Sequence, residues 1–327
     1  MKKPVILLLA SLCALQSFAA DAPTKPKADA KTKTPAKVVL PKPTLGGVAY
    51  GTHERQVLDF YKAKSEKPAP LLFFIHGGGW VAGDKNGVGS MIKLLDAGIS
   101  IVSINYRYSW QAQIAGVKPP VEWPLHDAAR ALQFVRSKAG EWNLDKQRIG
   151  ASGGSAGACS SLWLAFLKDM ADPKSSDSVA RESTRLWCAA VTGAQTSLDP
   201  QQLKEWTPNS RYGGHAFGFM DPTNLKSRDT RFAEFLAARE SVLPWIKEYS
   251  PIELVTAGDP PVYLIYGAPP ALGQPQKDPT HTANYGVKLQ EKCKSVGVEC
   301  ELAYPGAPDV KHASALEFLI AKLKGGK

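Results

Sequence analysis

Cysteine is scarce in this chain: five among 327 residues, at positions 13, 159, 188, 293 and 300, with no CxxC pair and no Cys/His cluster at metal-ligand spacing. That excludes a disulfide-framed mini-domain and leaves a zinc site without sequence support, so no metal or other cofactor is expected. After the first twenty residues no apolar run approaches the roughly 20 residues a bilayer-spanning helix needs, so no stable membrane insertion is expected. No internal repeat is visible. Acidic residues are fewer than basic ones, 30 against 40, for a formal charge of +10. The excess is uneven. Residues 1–44 hold eight lysines and two aspartates, and the other 283 residues carry only +4. That is an ordinary surface, and nucleic-acid binding by the folded part has no support.

What is present begins with an address. Met1-Lys2-Lys3 is a short positive segment, Pro4 to Phe18 is apolar apart from Ser11, Gln16 and Ser17, and Ser17-Phe18-Ala19 offers small residues where a signal peptidase reads. This predicts a secretory signal peptide over residues 1–20 and an exported protein, periplasmic or extracellular. Residues 21–45 are rich in Lys, Pro and Ala with little to bury, which predicts a flexible linker. The folded domain is expected over 46–327. In an oxidising compartment Cys293, late in a predicted helix, and Cys300, at the next strand, form the preferred bridge across the Ser295–Gly297 turn, while Cys159 and Cys188 read as buried thiols.

From residue 46 onward, short apolar runs (55–61, 71–75, 99–104, 148–150, 186–191, 262–266, 298–304) alternate with helical patterns (88–97, 124–142, 156–170, 282–295, 313–324). Continuous apolar strands separated by helices predict an α/β fold with a mostly parallel sheet covered on both faces. The interval 196–250 breaks the rhythm and is rich in aromatics, as a cap-like insertion would be.

Gly153-Gly154-Ser155-Ala156-Gly157 is a G-x-S-x-G between a predicted strand and a predicted helix. Small residues on both sides allow a tight turn that aims the Ser155 hydroxyl outward, at a helix N-terminus that favours developing negative charge. Ser155 is therefore the candidate nucleophile. Independently, His76-Gly77-Gly78-Gly79-Trp80 follows the apolar strand 71–75. Its glycines let backbone N–H groups converge on an oxyanion, so Gly78, Gly79 and Ala156 are the candidate oxyanion hole. His76 reads as a prop for this loop rather than a base.

HGGGW followed by GGSAG resembles the α/β-hydrolase superfamily, and within it the carboxylesterases of the hormone-sensitive-lipase and bacterial feruloyl and acetyl-xylan esterase type. Asn105-Tyr106-Arg107 and Pro260–Gly267 add to the resemblance, which runs from about residue 46 to the end and is weakest across 196–250. It implies a serine hydrolase acting on carboxylic esters, short-acyl or aromatic-acyl, with a small-molecule or carbohydrate ester as substrate. It also implies a triad in the chain order Ser, acid, His. Between Gly267 and Gln290 the only carboxylate is Asp278, and the histidines after it are His281 and His312. His312, after Tyr304-Pro305-Gly306, matches the family's histidine loop and is assigned as base with Asp278 as its orienter. His281 stands three residues from Asp278, which reads as poor geometry. Asp278 lies eleven residues beyond Gly267, farther than the family's acid, and Asp309 is the fallback. Asp127 is expected to brace the helix 124–142. Trp80 and His215 are candidate substrate contacts. A serine peptidase with the same triad, or a non-catalytic binding member of the fold, are the competing readings.

Overall fold

The computed structural model describes residues 40–325. The predicted signal peptide and most of the predicted linker lie outside the described residues. Among those described are eight strands: β1 (Leu45–Ala49), β2 (Val57–Tyr61), β3 (Ala69–Ile75), β4 (Ser100–Ile104), β5 (Leu144–Gly154), β6 (Cys188–Thr192), β7 (Val262–Ile265) and β8 (Cys300–Ala303). They form one sheet in the order β1-β2-β4-β3-β5-β6-β7-β8. β1 and β2 run antiparallel to their neighbours, and every pairing from β4–β3 onward is parallel. β1 escaped the sequence reading because its residues, Leu45-Gly46-Gly47-Val48-Ala49, are mostly exposed and carry no apolar alternation.

β3 explains why continuous apolar runs mark the parallel strands. All seven of its residues are buried. Leu71, Phe73 and Ile75 enter the core on one face, and Leu72 and Phe74 enter a second core on the other, as the period of two requires. The helices include α1 (Glu122–Ser137), α2 (Ala156–Phe166), α3 (Pro200–Trp206), α4 (Arg239–Tyr249), α5 (Asn284–Ser295) and α6 (Ala315–Lys324). α1 starts with Pro124 in its first turn, where the missing N–H costs nothing, and buries Leu125, Ala128, Leu132 and Val135. Every residue of α2 is buried, so it has no polar face at all. α6 begins at Ser314, whose hydroxyl accepts from the Glu317 N–H, and lays Phe318, Leu319 and Leu323 on the second core.

The aromatic-rich interval between β6 and β7 folds as short helical pieces, α3 and α4 among them, with Tyr212, Phe217, Phe232 and Phe235 buried beside the main core. Cys293 of α5 and Cys300 of β8 are in contact, brought together where the Cys293 carbonyl accepts from the N–H groups of Val296 and Val298. They stand as free thiols, not as the bridge expected from the sequence. Cys159 and Cys188 are buried, and burial pushes both thiols upward. No helix among the described residues is long and apolar enough to cross a membrane.

β3 and β5 stay paired to their carboxyl ends, where Ile75 stands opposite Gly153. A Cβ on Gly157 would lie 2.1 Å from the Ile75 carbonyl oxygen and 2.7 Å from that of His76. Nothing lies within 4 Å of the corresponding position on Gly140. Gly157→Ala is therefore expected to cost about 2–3 kcal/mol in urea denaturation, since backbone cannot move aside as a side chain can. Gly140→Ala should be neutral or gain up to about 1 kcal/mol. Equal behaviour of the two would overturn this reading of the contact.

Candidate active site

Ser155 sits between β5 and α2 with φ 53° and ψ −123°, a conformation that β-branched and bulky residues avoid. Its own N–H donates to the Thr192 carbonyl at 3.0 Å, and its carbonyl accepts from Cys159 N–H, so the turn is tied to β6 on one side and α2 on the other. The hydroxyl is thereby free to leave the sheet edge. Ala156 opens α2, where the first N–H groups have no partner within the helix.

The glycine loop after β3 lies against this turn: a Cβ on Gly77 would stand 3.5 Å from the Ser155 Cβ. Gly78 and Gly79 have φ of 101° and 62°, open only to glycine at little cost. The loop is held from three directions. Tyr106 donates to the His76 carbonyl at 2.9 Å and stacks on the His76 ring at 4.2 Å. The ring in turn donates from Nδ1 to the Gly77 carbonyl at 2.7 Å. Trp80 donates from its indole N–H to Ser160 of α2 at 3.0 Å. His76 is buried, and burial lowers its pKa to about 4 against the opposing bond to Gly77, so the imidazole is neutral with Nε2 unprotonated.

The group that meets Ser155 is His281. Its Nε2 accepts from the Ser155 hydroxyl at 2.9 Å, and its Nδ1 donates to Asp278 Oδ2 at 2.8 Å. Three residues suffice because Asp278 closes a turn on itself: its Oδ1 accepts from the N–H groups of Thr280 and His281, leaving Oδ2 to face the ring. The imidazole then points its far nitrogen outward. Partial burial would raise the Asp278 carboxyl, but the hydrogen bonds from the His281 ring and from the two amides outweigh it and hold it below the usual carboxylate range. The ring packs on Gly193, which has φ 58° and where an added Cβ would stand 3.2 Å from the His281 Cβ.

His312 does not join them. Its Nδ1 and backbone N–H are both engaged by Glu301, at 2.8 and 2.7 Å, and its ring stands edge-on to Phe318 of α6. Glu301 is on β8, three strands from β5, which at about 4.8 Å per strand is some 14 Å away. The assignment of His312 as base, with Asp278 orienting it, is thus corrected: Asp278 holds His281. The two proposed substrate contacts also need correction. Trp80 and His215 are fully buried behind the glycine loop and cannot meet a substrate directly. Asp127 braces as expected, accepting both Arg107 and Gln56. Asp309 has no part in the constellation described.

Two residues that sequence reasoning missed support the acid–base loop. Gln195, fully buried, donates from Nε2 to the carbonyls of Gly193, against which the His281 ring packs, and of Thr280, the residue before His281. Asn284, also fully buried, donates to the Trp206 carbonyl and exchanges hydrogen bonds with Ala271 at the start of the loop. Amide side chains at such positions carry no motif; only the spacing to Gly193 and the loop would have suggested them.

Residues 58–277 match the BD-FAE family. The chain belongs to that family. The matched span contains both glycine motifs and stops one residue short of Asp278, so Asp278 and His281 fall beyond it. Among curated relatives, esterase LipC of Mycobacterium tuberculosis is 27% identical over 230 residues, covering 68% of this chain and 50% of that protein. The probable carboxylic ester hydrolase LipM of the same organism is 33% identical over 173 residues, 48% of this chain and 38% of the other. The chain thus spans half or less of the length of these two relatives. Among solved structures, the acetyl ester-xyloside bifunctional hydrolase from Caldicellulosiruptor lactoaceticus superposes with a TM-score of 0.56 at 24% identity, covering 76% of each chain. Esterase 2 of Thermogutta terrifontis, phosphonylated by sarin, gives 0.57 at 23%, covering 83% of each. At this identity the likeness concerns the fold, which is that of the α/β-hydrolases.

His76 supplies a pH test of the loop. Its folded pKa lies below the unfolded value of about 6.5, so the unfolded chain takes up the proton first on acidification. Stability is then present above pH 6.5 and lost progressively towards pH 4, by about 3 kcal/mol for this group. Urea midpoints at pH 7 and 4.5 should separate more for the native protein than for His76→Gln; equal separations would contradict the buried neutral imidazole.

Proposed function

We propose that the protein is a serine hydrolase of carboxylic esters, and the observation that carries this is the unbroken relay Ser155–His281–Asp278 at 2.9 and 2.8 Å. In this reading the Ser155 oxygen attacks the ester carbonyl while its proton passes to His281 Nε2. The tetrahedral oxyanion is met by N–H groups of Gly78, Gly79 and Ala156, set in place before the reaction begins. Collapse expels the alcohol, which takes the proton from His281. Water then repeats the sequence on the acyl-enzyme and returns the serine. Asp278 stays ionised throughout and keeps the ring in the tautomer with Nδ1 protonated. The esterase relatives and the fold support esters over amides, and the continuous relay speaks against a purely binding role. A peptidase remains the second reading, since amides use the same geometry.

The likeness to a carbohydrate-active hydrolase in fold, together with the signal-like first twenty residues, supports an exported enzyme acting on short-acyl or aromatic-acyl esters of carbohydrate. No cofactor enters this mechanism.

Turnover of a 4-nitrophenyl ester panel from acetyl to decanoyl, with a ferulate, should fall about 10⁴-fold or more in Ser155→Ala. Matched anilides should turn over far more slowly than the esters. Retained ester turnover in the variant would overturn the assignment, and faster anilide cleavage would favour the peptidase.

A further inference from the structure

The N–H of Gly79 cannot anchor its own residue, because in the mechanism above it must stay free for the oxyanion. A glycine with φ of 62° is also only loosely restrained by its own backbone. Gly78 is held through its carbonyl, which accepts from Val81 and Ala82 at 3.1 Å. Tyr106, His76 and Trp80 hold the loop through groups other than Gly79. Gly79 itself is left to be fixed at its Cα and its carbonyl.

Both are met by the insertion between β6 and β7. Arg228 lies against the Cα: a Cβ on Gly79 would stand 2.3 Å from its Nη1 and 3.3 and 3.4 Å from its Cζ and Cδ, so only a glycine lets the guanidinium rest there. His215 lies on the carbonyl side, fully buried, with Tyr212 edge-on to it at 4.9 Å. Burial pushes the His215 pKa down, against hydrogen bonds to the Asp229 carboxylate and to the Gly79 carbonyl that pull it up. One carboxylate joins the two side chains. Asp229 Oδ2 takes Nε and Nη2 of Arg228, both at 3.0 Å, while Oδ1 stands 3.3 Å from His215 Nδ1. Burial would raise the Asp229 carboxyl, but His215 and Arg228 together hold it below the usual carboxylate range. His215 and Asp229 come from separate pieces of the insertion, and Phe217 stacked on Phe235 at 5.4 Å ties those pieces together.

Resting on the esterase reading above, we infer that Asp229 is a positioning residue for the oxyanion hole: it clamps Arg228 onto the Cα of Gly79 and His215 onto the carbonyl, so that the Gly79 N–H stays aimed. It acts through these two side chains, and the insertion thereby sets the direction of a donor that it does not itself contribute. Loss of the carboxylate frees the guanidinium and the ring together, and Gly79 regains the freedom its backbone allows.

The experiment is the turnover of 4-nitrophenyl acetate per active site, the sites counted by complete labelling with a fluorophosphonate. It compares native protein with Asp229→Asn, Arg228→Met, Gly79→Ala, the double variant Gly79→Ala/Asp229→Asn, and Ser155→Ala. Acylation and deacylation both pass through an oxyanion, so a misaimed donor slows both and leaves KM where it was. Asp229→Asn and Arg228→Met should each lower kcat per site about 10-fold or more, with KM within about twofold of native. Arg228 is part-exposed, so Arg228→Met decides the matter should Asp229→Asn leave no sites to label. Gly79→Ala displaces the guanidinium by itself, so adding Asp229→Asn to it should lower kcat less than about threefold further. A carboxylate that only supports the fold would change the number of labelled sites and not the rate at each. That result, a rise in KM with kcat kept, or full additivity in the double variant overturns the role of Asp229 and leaves the esterase reading intact. Turnover that survives Ser155→Ala, or native protein inert to the ester, overturns the esterase reading and this inference with it.

Discussion

The site depends on one backbone contact. Where the end of β3 meets the start of α2, Gly157 comes so near the carbonyls of Ile75 and His76 that any side chain would collide with them. That contact fixes the glycine loop against the turn carrying Ser155, so the two halves of the site cannot move independently. Ser155 itself adopts a strained conformation, which costs about 1–3 kcal/mol and persists only because β6 and α2 both hold the turn. Tyr106, His76 and Trp80 then secure the loop on its other sides, each with a hydrogen bond.

Asp278 and His281 obey a different logic. Both come from a single loop between β7 and α5, and Asp278 orients His281 through a local turn rather than across the fold. A constellation built this way needs only the loop to be anchored. Amide side chains do that: Gln195 from the β6 side, Asn284 from α5, and Asn209, which exchanges two hydrogen bonds with the backbone of Gln276. The Asp278 side chain is 61% exposed, and its hydrogen bonds to the His281 ring and two amides outweigh the partial burial that opposes ionisation.

The parallel strands were legible because burial on both faces forces continuous apolar runs, and the Ser155 turn and glycine loop were legible because their backbones demand glycine at fixed offsets. β1 was not, being exposed. His281 is not legible because closeness along the chain reads as poor geometry, whereas a turn capped by Asp278 presents the ring outward. His312 misled because it follows a Tyr-Pro-Gly loop of the familiar kind, yet Glu301 takes its Nδ1 and N–H and turns it onto Phe318. Trp80 and His215 read as contacts from their place on loops. Only the fold reveals that they lie beneath the loop, where they shape it from behind.

The central claim is that His281, not His312, activates Ser155. Its most direct test is the rate of inactivation by a fluorophosphonate, followed at neutral pH by intact mass for the native protein, His281→Ala and His312→Ala. The account predicts a loss of about 10³-fold or more for His281→Ala, with His312→Ala reacting at close to the native rate. The opposite order, slow labelling in His312→Ala and native labelling in His281→Ala, would contradict it.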